Sequence, residues 1–261
     1  MNVIEMENAA RHAWPALEEE ELPFGVLRYS NGTDRRSNSL NLYPYAEIET
    51  EKLVGAAEKF FSKRNAVPIV RIVQPTGVSL DSLRGIDSAL EARGYEKQAP
   101  TLSMLFDFEN TLETNVHKDN GLVEKMDVGA WLQAWYTLTG RDFEKIEVHK
   151  TLLEKSGLSH LFLLKRGING VLLSSGMAVF ANQSMGLFGI STACEHRKRG
   201  HALETINSLL SWGVAKGARF AYLQVEESNQ AAINLYQKLG FKKSYSYWYR
   251  VGKHKTSNSG D

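Results

Sequence analysis

The chain has 261 residues, of which 43% are hydrophobic and 23% charged, with a formal net charge of +1 at neutral pH. This length allows one or two domains, and the near-zero charge offers no bulk attraction to nucleic acid or to an anionic membrane surface. A single cysteine excludes an internal disulfide and suits a reducing compartment. No apolar run reaches the ~20 residues that span a bilayer, and residues 1–22 lack a signal-peptide pattern, so we expect a cytoplasmic protein.

The N-terminal half alternates helical and extended patterns. Apolar spacing predicts a helix over 6–21 that is interrupted at Pro15, with the acidic run Glu18–Glu21 as a solvated face or loop. The dipeptide Asn31-Gly32 predicts a hairpin turn between two strands. The other predicted elements of this half are strands at 24–29 and 37–42, a helix at 48–63, a strand at 68–73, a helix at 80–93 and a strand at 101–108.

The C-terminal half follows a polar, patternless stretch, 111–120, that is typical of a linker. Its periodicity predicts two helices, three strands, and then an alternation of helix and strand. In chain order these are helices at 130–138 and 143–155, strands at 160–165, 170–180 and 185–192, a helix at 201–215, a strand at 219–226, a helix at 230–239 and a strand at 241–251. We expect the tail, 254–261, to be disordered.

A basic loop lies between the strand at 185–192 and the helix at 201–215. Its members are Arg197, Lys198, Arg199, Gly200, His201 and Ala202. N–H groups in the first turn of a helix have no intrahelical partner, and the macrodipole gives them partial positive charge. With three cations and a glycine beside them, these groups predict a binding site for a diphosphate. In isolation the R-x-x-G-x-A pattern also fits a solvated basic turn.

The elements that follow the loop favour the first interpretation. The order of strand, R-x-x-G-x-A loop, helix, strand, S-N-x-x-A-x-x-L-Y-x-x-L-G-F and strand resembles the GCN5-related N-acetyltransferase (GNAT) superfamily. The loop at 197–202 matches the pyrophosphate loop of that family. The second motif is matched by Asn229, Ala232, Leu235, Tyr236, Gly240 and Phe241. The resemblance implies an α/β fold with a mostly antiparallel central sheet flanked by helices.

A weaker repeat extends the resemblance to the whole chain. The succession of helix, strand, helix and strand occurs from residue 48 and again from residue 201, which suggests two copies of one α/β unit. The arrangement resembles tandem GNAT proteins with a degenerate N-terminal copy. It predicts a GNAT-like domain over 1–110 and an acetyl-CoA-binding GNAT domain over 121–253. The first copy has LNLYPYAEIET where the basic loop would lie, so we expect it to have lost cofactor binding.

One stretch of the first copy, Arg36-Ser37-Asn38-Ser39, is similar to a stretch of such two-domain proteins. A hydrogen-bonded strand edge explains it equally well, and the two interpretations stay open.

The resemblance implies that acetyl-CoA is the cosubstrate and that no metal is required. The acetyl group would pass to a primary amine of a small molecule or peptide, by direct attack in a ternary complex. The loop at 197–202 would hold the diphosphate, while Ile190, Ser191 and Thr192 would meet the pantetheine arm and polarise the thioester carbonyl. Tyr236 occupies the position of the catalytic acid. Asn229 would contact the cofactor, cap the next helix, or do both.

The sequence departs from some relatives at the catalytic base. Gln224 and Gly186 stand where certain members carry carboxylates, and neither residue accepts a proton at neutral pH. His149 and His160 are alternative bases, although a lone histidine is often structural, and water is a further route. The missing carboxylates motivate a second hypothesis, a non-catalytic acyl-CoA-binding sensor or interaction module.

Two further features have alternative explanations. Trp131, Trp135 and Tyr136 would line the acceptor site or, as aromatic residues at helical spacing, fill the core. Cys194 lies beside the expected thioester site, and without an evident base partner beyond His196 we interpret it as a small residue at a strand end. The acceptor and the oligomeric state are not specified by the sequence, and we expect neither nucleic acid nor membrane as a partner.

Overall fold

The computed structural model describes residues 1–46, 48–77, 80–110 and 124–253, without the side chains of 80–84. The helices are α1 (Val3–Ala13), α2 (Thr50–Ser62), α3 (Leu80–Ala92), α4 (Val128–Thr139), α5 (Ile146–Lys155), α6 (His201–Ala215) and α7 (Gln230–Lys238). The strands are β1 (Glu18–Leu22), β2 (Gly25–Tyr29), β3 (Leu40–Leu42), β4 (Ile69–Pro75), β5 (Glu96–Asp107), β6 (Glu124–Met126), β7 (Ser159–Arg166), β8 (Leu172–Ala181), β9 (Ser184–Thr192), β10 (Phe220–Glu226) and β11 (Lys242–Val251). The predicted linker at 111–120 and the predicted tail at 254–261 lie outside the described residues.

The described residues form two compact units, each discontinuous in sequence. The C-terminal unit contains described residues of Met1–Pro15, Ser103–Val225 and Asn229–Lys243. The N-terminal unit contains Ala16–Leu102, Glu226–Ser228 and the described residues from Ser244 onward. The contiguous domains expected at 1–110 and 121–253 differ from this grouping, since β5 joins the C-terminal unit from Ser103 and β11 joins the N-terminal unit from Ser244. Local periodicity identifies a strand but not the strand with which it pairs.

The N-terminal unit has the strand order β1-β2-β3-β4-β11. Strands β3 and β4 are parallel and are joined through α2, while the other pairs are antiparallel. An apolar core lies between this sheet and α2 and α3. Its members include Leu40, Leu53, Phe61, Ile72, Leu90 and Trp248.

The C-terminal unit has the strand order β5-β10-β9-β8-β7-β6. Strands β9 and β10 are parallel and are joined through α6, which repeats the β3–α2–β4 arrangement of the other unit. Helix α6 covers one face of the sheet, where it is so close that a Cβ at Gly213 would lie 2.0 Å from the Met185 sulfur. The opposite face carries α4 and the end of α1, through Trp131 against Gly189 and Trp14 against Phe188. The predicted mixed α/β fold with two related units is confirmed.

The helix predicted over 6–21 is wrong in its second half. Helix α1 ends at Ala13, and Glu18–Leu22 forms the edge strand β1, paired antiparallel with β2. Pro15 ends the helix, and backbone pairing with β2 outweighs the low strand propensity of four successive glutamates. The glutamate side chains stay exposed, as expected of a solvated face.

The stretch Arg36-Ser37-Asn38-Ser39 lies in the loop between β2 and β3. The Asn38 side chain accepts hydrogen bonds from the N–H groups of Ser30 and Gly32, at 2.8 and 2.9 Å, and donates one to the Asp34 carbonyl at 2.7 Å. Ser39 donates from Oγ to the Arg35 carbonyl oxygen at 2.7 Å. These local bonds favour the strand-edge interpretation of the stretch.

Candidate active site

The parallel strands β9 and β10 separate within the C-terminal unit. Their register begins at Phe220↔Ser184 and ends at Leu223↔Leu187, while β9 continues to Thr192 and β10 to Glu226. Ile190, Ser191 and Thr192 lie beyond this point and are half-buried. The two strands are therefore not paired with each other at their C-terminal ends, where the sequence predicts the pantetheine arm.

A β-bulge accompanies the separation of the strands. Ser175 of β8 is paired with Ser191, and Met177 with Phe188, so Gly176 alone faces Gly189 and Ile190. Neither glycine has room for a side chain, since a Cβ at Gly176 would lie 2.7 Å from Thr205 and one at Gly189 would lie 2.6 Å from Trp131. Isolated glycines inside apolar strands are the signal that indicates such a bulge in a sequence.

The basic loop follows β9 directly and leads into α6. Gly200 is the N-cap residue of α6 with φ of +86°, a backbone conformation that suits glycine, and no side chain caps the helix. Arg197, Lys198 and Arg199 are exposed. The first-turn N–H groups and these cations together form a concentration of hydrogen-bond donors and positive charge. This arrangement can bind a diphosphate.

The first residue of α6, His201, stays neutral at physiological pH. Burial lowers its pKa, and the positive charges of Lys165, His196 and Arg199 lower it further. Its Nδ1 atom is buried and has no hydrogen-bond partner among the described residues.

Sequence reasoning missed an ion pair beneath the loop. Lys165 on β7 donates from Nζ to the carboxylate of Glu204 in the first turn of α6. The Lys165 side chain is 9% exposed. The sequence carries only a weak signal for this ion pair, a lysine in a buried strand and an acid one helical turn after the loop. The two residues lie 39 positions apart, on different elements.

Helix α7 and its N-cap residue contain the two candidate site residues of the second motif, Tyr236 and Asn229. Asn229 is exposed and caps this helix, accepting a hydrogen bond from the Ala232 N–H at 3.2 Å. Tyr236 is buried, and its ring packs edge-on against Phe241 at 5.9 Å between centroids. Burial raises the pKa of Tyr236 to about 12. The phenol is therefore protonated at neutral pH and can act as an acid.

Gly186 and Gln224 stand at the two positions where some relatives carry carboxylates. A Cβ at Gly186 would lie 2.5 Å from the Phe188 ring and 2.7 Å from the Tyr222 ring, so these aromatics fill the space of a side chain. Gln224 lies on β10, beyond the last pair with β9.

The two histidines that the sequence offers as bases, His149 and His160, both form hydrogen bonds with other protein groups. His149 is buried and hydrogen-bonded to the Tyr136 hydroxyl. His160 contacts Ser156 Oγ at 3.2 Å and the Leu158 carbonyl at 2.9 Å, and burial lowers its pKa.

The aromatic residues of α4 are part of the core. Trp131, Trp135 and Tyr136 are 0%, 6% and 1% exposed. The two indoles stack at 5.3 Å and press against Gly189, so they support the bulge from the face opposite α6. This placement favours the core interpretation. Cys194 is exposed and begins a short 3-10 turn after β9.

Within the ranges that the structure describes, no group of three or more His, Cys, Asp or Glu side chains is arranged to hold a metal ion. No helix in this part of the chain is both long and apolar enough to cross a bilayer.

Comparisons with known proteins support the same family. A family model described as "Probable histone acetyltransferase Rv0428c C-terminal" matches residues 177–250, which include the bulge, the loop and α7. The "Uncharacterized N-acetyltransferase YobR" of Bacillus subtilis is 26% identical over 254 residues, covering 96% of this chain and 98% of the relative.

Solved structures share the fold over most of the chain. A GCN5-related N-acetyltransferase from Kribbella flavida has a TM-score of 0.68 at 13% identity, covering 97% of this chain and 96% of that one. A tandem GNAT protein from the clavulanic acid biosynthesis pathway has a TM-score of 0.57 at 16% identity, with 81% and 73% covered.

The chain has the fold of GNAT proteins, among them a tandem one, and is built from two related units. The matched family model and the relative support an N-acetyltransferase of the GNAT type.

Proposed function

We propose that the C-terminal unit binds acetyl-CoA as cosubstrate and transfers the acetyl group to a primary amine of a small molecule or peptide. Transfer is by direct attack in a ternary complex and uses no metal ion. The observation that carries the proposal is the junction of β9 with α6. There a strand that has parted from its neighbour leads through Arg197, Lys198 and Arg199 to an uncapped helix.

The free space at Gly200 supports a diphosphate site at the loop. An ideal Cβ at Gly200 would have Glu204 Oε1 as its nearest neighbour, at 4.0 Å, so no atom comes closer than this carboxylate to that space over the backbone. N–H groups of the loop and of the first turn, including His201 and Ala202, would donate to the diphosphate oxygens. The flanking cations would supply the balancing charge.

Acyl transfer also requires groups that hold the pantetheine arm, stabilise the oxyanion and donate a proton to the departing thiolate. Backbone groups of Ile190, Ser191 and Thr192 would hold the pantetheine arm, and an N–H there would stabilise the oxyanion as the amine adds to the thioester carbonyl. Asn229 would contact the cofactor while it caps α7. Tyr236 would donate its proton to the departing thiolate, and its raised pKa keeps that proton in place at neutral pH.

The amine must lose a proton to a group other than the missing carboxylates. Because aromatic rings fill the space at Gly186, no base can stand there without rearrangement of the strand. Proton loss to water fits this arrangement. The same observation favours the second candidate, a non-catalytic acyl-CoA-binding sensor or interaction module, which would bind the donor without turnover.

Calorimetric titration of acetyl-CoA tests the binding site. The wild type should bind, and Gly200→Glu should not, because it places a side chain and a negative charge over the loop. Gly217→Glu is the matched control, since Gly217 also has positive φ, +78°, and open space around it but lies at the far end of α6. It should bind like the wild type.

A screen of primary amines with detection of free thiol then separates the two candidates. Release of CoA with any amine supports transfer, whereas saturable binding without release across the screen supports the sensor. Absence of acetyl-CoA binding in the wild type would contradict both.

A further inference from the structure

The carboxylate of Glu204 lies against the centre of the basic loop. Its Oε1 is 4.0 Å from the position of an ideal Cβ on Gly200, which is the space that the proposed function assigns to a diphosphate. The other oxygen, Oε2, accepts from the Lys165 ammonium on β7. Glu204 is one-third exposed, whereas Lys165 is 9% exposed. The contact therefore joins a carboxylate at the loop to a cation buried beneath it.

An acid in the first turn stabilises a helix through the macrodipole. The same acid repels any second anion that enters the loop, and a diphosphate is such an anion. The exposed cations Arg197, Lys198 and Arg199 can balance the charge of the diphosphate, but solvent and salt screen their effect on the Glu204 carboxylate. A buried cation in direct contact with the carboxylate is screened far less.

The charge of Lys165 also reaches the loop itself. It contributes to the lowered pKa of His201, the residue that follows Gly200, after burial and together with His196 and Arg199. This effect on His201 places the Lys165 charge within interaction range of the start of α6.

We infer that Lys165 is a positioning residue for the acyl donor, which neutralises Glu204 and so keeps the loop at 197–202 open to the diphosphate of a CoA-type donor. This role rests on the proposed function and goes beyond it, because it assigns part of donor recognition to a buried ion pair on β7 and α6. It also requires that Glu204 opposes the donor whenever Lys165 is absent.

A double-mutant cycle tests the role by calorimetric titration of acetyl-CoA. Lys165→Met removes the charge but keeps an apolar stem of similar length, and should weaken binding about tenfold or more. Glu204→Gln should bind as tightly as the wild type or more tightly. The double variant should return to within about threefold of the wild type, because neither charge remains. Lys125→Met is the control, since Lys125 is an exposed lysine on β6 next to β7; it should bind like the wild type.

The affinity of the double variant separates this role from a merely structural one. If the pair only fastens α6 to β7, Glu204→Gln will not rescue the affinity of Lys165→Met, because the fastening is lost in both. That result, or unchanged affinity in Lys165→Met, overturns the inference and leaves the proposed function intact. A wild type that binds no acetyl-CoA overturns both.

Discussion

The Ser175 hydroxyl donates a hydrogen bond to the carbonyl oxygen of Gly189, 3.0 Å away, across the bulge between β8 and β9. Ser175 is fully buried, and Gly189 has φ of +59°. On its other side Gly189 packs against the Trp131 ring, so closely that a Cβ on Gly189 would lie 2.6 Å from the ring. The bulge is therefore held by a hydrogen bond and by close packing, and both features keep the end of β9 apart from β10.

Substitution of Gly189 should show how closely the bulge is packed. Gly189→Ala adds a methyl group at positive φ and 2.6 Å from Trp131, whereas Gly170→Ala adds one at φ of +73° with nothing within 4 Å. In both variants the positive φ of the new alanine lowers the unfolding free energy by ~1 kcal/mol or more. We expect Gly189→Ala to lose a further ~1–3 kcal/mol through overpacking, as measured by chemical denaturation. Equal losses in the two variants would show that Trp131 yields easily.

Tyr236→Phe should lower kcat about 100-fold while acetyl-CoA affinity is retained, because only the proton donor is removed. The pKa of Tyr236 is raised to about 12, so the phenol is protonated at all lower pH values and loses its proton only as the pH rises through that value. The ratio of wild-type to variant rates should therefore be constant across the neutral range. Rates measured as thiol release over a pH series check this, and full activity in the variant would exclude the acid role.

The sequence was informative where local chemistry decides the structure. The loop at 197–202, the N-cap Asn229 and the helix after it are local features, and their patterns predict these elements and carry the resemblance to the GNAT superfamily. Contacts between distant elements were not accessible in this way. Three features depend on tertiary neighbours, which one sequence does not specify. They are the pairing of Glu18–Leu22 with β2, the assignment of β5 and β11 to their units, and the contact of Lys165 with Glu204.

The Asn38 side chain should matter for stability and not for donor binding. It is 5% exposed and makes hydrogen bonds to Ser30, Gly32 and Asp34. Asn38→Ala removes these three bonds, one of which satisfies the N–H of the buried Ser30, and should cost ~2–3 kcal/mol of unfolding free energy. Asn169→Ala, at an exposed hairpin tip, should change it by less than ~0.5 kcal/mol. Denaturation and acetyl-CoA titration of both variants check this, and a stable Asn38→Ala protein with lost binding would instead indicate a chemical role for the stretch.

The strand β11 is fixed in the N-terminal unit by a buried ion pair. Arg250 donates to both carboxylate oxygens of Asp87 on α3, at 2.8 and 2.7 Å, and Trp248 donates its indole N–H to the same group at 2.6 Å. The Arg250 side chain is 4% exposed. Burial by itself would raise the pKa of Asp87, but the bonds from Arg250 and Trp248, together with the charges of Arg250 and Lys97, outweigh it and hold the pKa below the ordinary value of 3.8.

Asp87→Asn should therefore lower the unfolding free energy by ~3 kcal/mol at neutral pH, because it removes the bidentate carboxylate partner of buried Arg250 and leaves only the exposed Glu91, at 3.5 Å. A depressed pKa contributes stability that is fully present above the ordinary value of 3.8 and is lost as the pH falls through the folded-state value. The difference between wild type and variant should thus be constant near neutrality and shrink in acid, as followed by denaturation over a pH series. Glu51→Gln, which breaks an ion pair of a 78% exposed carboxylate with Arg93, is the control and should cost less than ~1 kcal/mol. A difference that persists undiminished in acid would mean that the Asp87 charge does not supply the stability.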